Sequence, residues 1–394
     1  VRVSDPLAGF DWTPPTRIVR GVGALSRLGE LVAAEGCARV LLVCDAGLQA
    51  AGHPKRAVQS LEEAGLAVEV FDGVSENPTT VDVEAVRARA RAAGVDGFVA
   101  VGGGSSIDAA KGANFLLTNG GEMADYQGRV GVERPLLPLF AVPTTAGTGS
   151  EMQSFALISS EADHEKMACG DPSAAPRVAL LDAELCLSMP REVTAITGLD
   201  AIGHALESAV TSARNPRSSP YSSEAFRLAA RAFPRVLEAG DDLEARGDMQ
   251  LAAALAGVAI EASMLGAAHA LANPLTRAFD LPHGLAVGLL LPHVVRFNAA
   301  DAAAREIYAE LGRMVEPDAA DEGQALEALL AFLGVGLRAC GLPIALSAWG
   351  VSAEALDGLG EEAAMQWTAG HNPRPVGADE LTGLYRLALD PADD

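Results

Sequence analysis

The sequence predicts an N-terminal α/β domain built on a parallel sheet, residues 1–190, followed by an all-α domain over residues 191–394. Three observations predict it. Through about residue 190 short aliphatic runs alternate with Ala-rich helical stretches. After MPREV (189–193) the strand-like runs fade and apolar spacing becomes helical. Within the first regime one apolar run, GFVAVGGGSSID (97–108), passes directly through three glycines into a helix-like segment.

The elements follow in order. ARVLLVCD (38–45) reads as a buried strand, the stretch around KRAVQSLEEAG (55–65) as a helix, and AVEVFDG (67–73) as a second strand. VEAVRARARAAG (83–94) is a second helix and DGFVAVGGG (96–104) a third strand. RPLLPLFAVPTT (134–145) and RVALLD (177–182) supply further strands. This βαβα rhythm means a parallel sheet with helices on both faces. The later segments, SSEAFRLAARAFPRVLEAG (222–240), MQLAAALAGVAIEASMLGAAHALA (249–272) and EGQALEALLAFLGVGLRACG (322–341), are helical in spacing, and no repeat stands out. In such an architecture the cleft between domains is the expected site.

Composition narrows the class. The chain is 49% hydrophobic and 21% charged, and 29 Lys and Arg against 52 Asp and Glu give a net charge of −23. That balance argues against nucleic acid or an anionic membrane as partner. An anionic ligand then needs a local positive site made of backbone amides and a few placed cations. The five cysteines are odd in number, scattered and without CxxC, which suits free thiols in a reducing compartment. No signal peptide opens the sequence. Its longest apolar run, GLAVGLLLPHVV (284–295), falls short of the roughly 20 residues a bilayer span needs. The expectation is a cytoplasmic protein.

Gly102, Gly103 and Gly104 let a ligand approach the backbone, and the helix behind them offers free N–H groups to a pyrophosphate. The pattern is neither GxGxxG nor a P-loop. Ser105 and Asp108 also have the spacing of a helix-capping box, which needs no ligand. AVPTTAGTGSE (141–151) gathers Thr144, Thr145, Thr148 and Ser150, which suit either a nucleotide cleft or an ordinary turn. Asp45 ends a strand where a carboxylate accepts from an adenosine ribose and repels a 2′-phosphate, or simply caps the next helix.

Seven histidines occur, and three join an aspartate in a set. Asp200 and His204 lie one helical turn apart in GLDAIGHALESAV (198–210). His269 falls in an apolar helix, and His283 follows at a Pro-His-Gly turn. A single histidine on an apolar helix is ordinarily a core residue, whereas three with a paired aspartate point to a divalent ion such as Fe2+ or Zn2+. His293 reads as structural, and His53 and His164 stand outside the set.

These motifs, nearly the whole length of the chain, resemble the iron-containing (group III) alcohol dehydrogenases. GGGSSIDAAK (102–111) is similar to that family's GGGSxxDxxK, PTTAGTGSE (143–151) to its PTTxGTxxE, and TGLDAIGHALE (197–207) to its TGxDAxxHAxE. HEKMACGDPSAAPRVALLDAELCLSMP (164–190) resembles its lysine-bearing segment, and the stretch from His269 through LPHGLAVGLLLPHVVRFN its metal-binding pair. GHNPRPVGADELTGLYRLAL (370–389) resembles its NPR-containing close. The resemblance implies a dinucleotide-binding, dehydroquinate synthase-like α/β domain. It implies one divalent ion, Fe2+ or alternatively Zn2+, on Asp200, His204, His269 and His283. A nicotinamide cofactor, NAD in preference to NADP, is implied on Asp45, Asn77, Gly104, Ser105, Asp108, Thr144, Thr148 and Lys166, with Gly103 and Thr145 from the same loops. Hydride transfer to or from a small alcohol or aldehyde follows, in a homodimer or larger homo-oligomer.

The sequence departs from the family at Asn273, where many relatives carry a second histidine given a proton-relay or pocket role. Asparagine does not titrate, so the expectation is altered substrate preference or pH dependence with metal binding intact. The same alignment suggests a pocket of Phe155, Leu157, Ile260 and Thr368, with Trp367 adjacent, an apolar lining that favours an uncharged substrate. A metal-free, maleylacetate reductase-like enzyme would not need four ligands. A dehydroquinate synthase-like lyase would need more lysine and arginine than the chain offers.

Overall fold

The computed structural model describes residues 11–162 and 165–391, so His164 lies outside the described residues. The chain divides into two compact units: Thr13–Met189, and a second built from Pro190 onward that also takes the described residues Asp11 and Trp12, which the sequence reading had placed in the first domain. In the first, six strands form one parallel sheet: β1 (Arg17–Arg20), β2 (Arg39–Val43), β3 (Ala67–Phe71), β4 (Gly97–Gly102), β6 (Leu139–Pro143) and β9 (Val178–Leu181), in spatial order β1-β9-β6-β4-β2-β3. A smaller sheet holds β5 (Gly128–Arg129), β7 (Phe155–Ser159) and β8 (Lys166–Gly170), with β7 and β8 antiparallel.

The central strands read as unbroken apolar runs because both faces are buried. Leu41 and Val43 of β2, Phe98 and Ala100 of β4, and Leu139 and Ala141 of β6 enter one core cluster. That cluster also takes residues of α4 (Thr80–Ala93) and α5 (Gly104–Thr118). The alternate residues Val40, Leu42, Val99, Val101, Phe140 and Val142 enter the opposite cluster. Its other wall is α1 (Leu28–Ala34) and α3 (His53–Glu63); a single turn, α2 (Leu48–Ala51), precedes α3. The small sheet and β1 are absent from the sequence reading. Strand β1 is four residues long and buries only Val19, and β5 has two residues.

The second unit is helical throughout: α6 (Arg191–Val210), α7 (Ser219–Glu238), α8 (Leu243–Ala262), α9 (Ala267–Phe279), α10 (His283–Asn298), α11 (Ala302–Val315), α12 (Glu322–Ala339), α13 (Leu356–Met365) and α14 (Ala378–Leu389). Two glycines set how α6 and α10 meet. A Cβ on Gly284 would fall 2.3 Å from the Ile196 carbonyl oxygen, and one on Gly203 would fall 2.6 Å from Val287 Cγ1. Only hydrogen fits at either crossing, and the close approach brings Asp200 on α6 beside His283 at the start of α10. No single helix among the described residues is long and apolar enough to cross a membrane. All five cysteines are free and buried.

Candidate functional site

The candidate cofactor residues of the first unit gather where strands end. Asp45 follows β2, Gly103 and Gly104 follow β4, and Thr144, Thr145 and Thr148 follow β6. Parallel neighbours deliver these segments to the same, C-terminal edge of the sheet. The connection from β2 runs outward to β3 and that from β4 runs the other way to β6, so the β2–β4 gap is the topological switch point. The loops are fitted to each other. A Cβ on Gly104 would lie 2.8 Å from Thr148 Cγ2, and one on Gly102, whose φ is +154°, would lie 2.5 Å from Ser106 Oγ. Thr144 N–H donates to the Gly102 carbonyl at 3.0 Å.

The expected Ser105–Asp108 capping box does not form. Gly103 is the N-cap of α5, with no side-chain cap, so the first amides of this helix stay available to an anion. Ser105 Oγ instead accepts from the amide of Asn77, itself held at φ +53°. Asp108 points inward, where Oδ2 accepts from Leu157 N–H at 3.1 Å and Oδ1 accepts from Ser150 Oγ. Asp45 Oδ1 accepts from Leu48 N–H at 3.2 Å, a local turn bond. The N-cap of α2 is Gly47 with no side-chain cap, so Asp45 does not take the capping position that was the alternative to ribose binding.

Lys111, in the GGGSSIDAAK motif but given no role by sequence reasoning, is fully buried. Its ammonium donates to Ser150 O at 2.7 Å, Ser150 Oγ at 2.9 Å and Phe155 O at 2.8 Å, and lies 3.6 Å from Asp108. This knot ties α5 to the loop that carries Thr144 to Thr148. Burial, with a smaller push from Asp108, raises the neighbouring Glu151 to about 7 against an ordinary 4.5. A carboxylic acid whose pKa rises on folding keeps a proton that the unfolded chain releases. Stability therefore falls as pH climbs from about 4.5 to 7. Glu151→Gln is expected to flatten that slope and to gain up to about 3 kcal/mol above pH 7. Denaturant unfolding between pH 4 and 8 checks it, and an unchanged slope contradicts it.

Phe155 and Leu157 alternate with the fully buried Ala156 and Ile158, so they share the less buried face of β7. Lys166 pairs with Ser159 on that same face. The Phe155 ring covers Gly170 and lies 5.2 Å beneath the Arg129 guanidinium, so the face is less apolar than the sequence suggested. In the helical unit Ile260 is 8% exposed, and Thr368 is buried with Oγ1 lacking a hydrogen-bond partner. Asn273, one turn beyond His269 on α9, donates to Gln366 Oε1 at 2.9 Å.

The four predicted ligands converge. Helix α6 carries Asp200 and His204, α9 carries His269 and α10 begins with His283. From Asp200 Oδ1, Nε2 of His269, His204 and His283 lies at 3.4, 3.5 and 3.9 Å. One ligand atom each from Asp200, His269 and His283 lies within 4.8 Å of the others. His204 is not one of that close trio; it stands beside it, with its ring stacked on His269, centroids 4.7 Å apart. Asp200 Oδ1 and His269 Nε2 are both buried with no hydrogen-bond partner, an arrangement that is costly unless something accepts their lone pairs. A divalent cation does so, and the oxygen and nitrogen donors suit Fe2+ or Zn2+.

The electrostatics agree. Burial disfavours a charge on Asp200, but the imidazoles of His204, His269 and His283 outweigh it and hold the carboxyl well below its usual range. Burial also disfavours a charge on His269, and there Glu207 and Asp200 prevail, raising the imidazole to about 9. An ion that takes His269 Nε2 therefore displaces a proton.

Comparison with known proteins gives a consistent identity. Residues 15–183 match the family described as iron-containing alcohol dehydrogenase. Residues 194–389 match the C-terminal domain of the Fe-containing alcohol dehydrogenase family. The probable alcohol dehydrogenase EutG of Escherichia coli is 33% identical over 95% of this chain and 93% of its own length. The crystal structure of a 1,3-propanediol oxidoreductase superposes with a TM-score of 0.92 at 33% identity, covering 97% of this chain and 100% of that one. A sulfoacetaldehyde reductase from Bifidobacterium kashiwanohense, solved with NAD+, superposes with a TM-score of 0.86 at 26% identity, covering 98% and 100%. On motifs, fold and site together, the chain belongs to the iron-containing alcohol dehydrogenase family.

Proposed function

We propose that this alcohol dehydrogenase is metal-dependent and NAD-linked, interconverting a small, uncharged alcohol and its aldehyde. The observation that carries the reading is the convergence of Asp200, His204, His269 and His283, with Asp200 Oδ1 and His269 Nε2 buried and unsatisfied. These four residues would hold Fe2+, or alternatively Zn2+. Bound there, the ion supplies Lewis-acid polarisation of the substrate oxygen. NAD supplies the hydride acceptor, as the complex of the sulfoacetaldehyde reductase supports by analogy.

The chain's own residues bind and orient. The free amides of the first turn of α5, with Gly103, Gly104 and Ser105, receive the pyrophosphate. Thr144, Thr145 and Thr148 line the same edge, and Asn77 braces Ser105. Asp45 accepts from the ribose hydroxyls and repels a 2′-phosphate, favouring NAD over NADP. Lys166 contributes a cation toward the cofactor. Asp108 acts at one remove, through the Lys111–Ser150 knot. The substrate residues on this reading are Phe155 and Leu157 of the first unit and Ile260, Asn273 and Thr368 of the second. On this reading residues 1–190 carry the cofactor and 191–394 the ion, in a homodimer or larger homo-oligomer. The intact donor set disfavours the metal-free reductase.

Protein purified without air is expected to contain about one Fe2+ or Zn2+ per chain and to oxidise NADH faster than NADPH with small aldehydes, losing turnover on chelation. Elemental analysis beside the two-cofactor assay checks this. Chelator-insensitive turnover by a protein that takes up no ion on reconstitution would overturn the reading.

A further inference from the structure

Glu207 stands on the same face of α6 as Asp200 and His204, at i+7 and i+3, and is 2% exposed. Its two oxygens are separately engaged. Oε1 accepts the backbone N–H of Ala268 at 2.6 Å, and Oε2 meets Nδ1 of His269 at 2.5 Å. An ionised carboxylate only accepts, so the partner hydrogen belongs to Nδ1 and the lone pair to Nε2. That is the nitrogen that faces Asp200 at 3.4 Å.

A second buried side chain grips the same turn. Asn372 Oδ1 accepts from Ala267 N–H at 3.3 Å and from Asn298 Nδ2 at 3.1 Å. Asn372 Nδ2 donates to Asn298 Oδ1 and to the Arg374 carbonyl, each at 2.7 Å. A Cβ on Gly266 would lie 3.0 Å from Asn372 Oδ1 and 3.1 Å from Glu207 Oε1. The start of α9 is thus held from two sides, by α6 and by the NPR turn (372–374), a motif that hydride transfer itself leaves without a task.

We propose that Glu207 is a positioning residue for the ion. It fixes the His269 tautomer with Nε2 bare and anchors the first turn of α9, which the NPR turn braces through Asn372. The inference rests on the metal reading above. Glutamine has nearly the same shape but only one acceptor. With its oxygen on Ala268 N–H, its amide N–H faces Nδ1 and drives the imidazole hydrogen onto Nε2, the atom the ion needs. With the amide reversed, its N–H opposes the N–H of Ala268.

The test is competition for Co2+ and Zn2+ between a chromophoric chelator and the stripped full-length protein, wild type against Glu207→Gln. The variant is expected to bind either ion about 10–100-fold more weakly. Its metal-induced rise in Tm should shrink in step, which a merely structural role for Glu207 would not produce. Equal affinities for folded wild type and variant overturn the proposal. A wild type that takes up neither ion overturns the metal reading instead, so the two failures are distinguishable. Wild-type protein gives an independent reading if the variant does not fold. With Zn2+ bound, 15N spectra of its histidines should show His269 protonated at Nδ1, and ligation through Nδ1 contradicts the assignment.

Discussion

Asp200→Asn is expected to strip the ion from the protein and to lower kcat/KM by at least about a thousandfold, because Lewis-acid stabilisation of developing charge is worth several kcal/mol. Asp200 is the one carboxylate in the donor set, and its Oδ1 is the point on which the three imidazoles converge. Asparagine keeps the volume and removes the charge. It also turns a hydrogen-bond donor toward nitrogens that must present lone pairs. The carboxyl is held ionised well below its usual range, so its own protonation is not the source of an acid limb in the working pH range. Below about pH 9 the proton on His269 competes with the ion, so in wild type metal retention weakens as the solution is acidified. Metal analysis and steady-state rates of purified Asp200→Asn check the prediction. Full metal content in the variant would remove Asp200 from the ligand set.

Why were the ligands visible in the sequence when their supports were not? Asp200 and His204 share one helical face within a single motif, and histidine is scarce enough in this chain for three to stand out. Glu207 lies in that same motif. A glutamate late in an Ala-rich helix ordinarily reads as a solvated charge, and its partner His269 is 62 positions away. The one available clue was its helical spacing from Asp200. The sheet shows the same division between local and distant causes. Strands buried on both faces announce themselves as apolar runs, so β2, β4 and β6 were legible. The antiparallel pair of β7 and β8 was not, because the pairing of Ser159 with Lys166 leaves no trace in periodicity. The triple glycine illustrates a third case. The Ser105 and Asp108 that follow it have the spacing of a capping box, and tertiary contacts overrode it by drawing Asp108 inward to Ser150 and Leu157.

That inward turn makes Lys111→Met the other large effect, with an expected loss of stability of about 3–5 kcal/mol. Methionine fills the space but satisfies none of the acceptors that the ammonium serves: Ser150 O, Ser150 Oγ and Phe155 O. It also leaves the Asp108 carboxyl buried without its nearest cation. Burial already pushes Asp108 upward, opposed by Lys111 and by bonds from Ser150 and the Leu157 amide. Without Lys111 the native state holds its proton to higher pH, while the unfolded chain releases it near the ordinary value. The stability deficit of the variant should therefore widen as pH rises and narrow in acid. Adding Asp108→Asn should recover part of the loss, because the pair is coupled. Since the knot ties α5 to the loop that packs Thr148 against Gly104, KM for NAD should rise more than kcat falls. Urea unfolding at two pH values, with initial rates against NAD concentration, separates these effects. A deficit that does not vary with pH would mean that the lost hydrogen bonds, and not the stranded carboxylate, account for the damage.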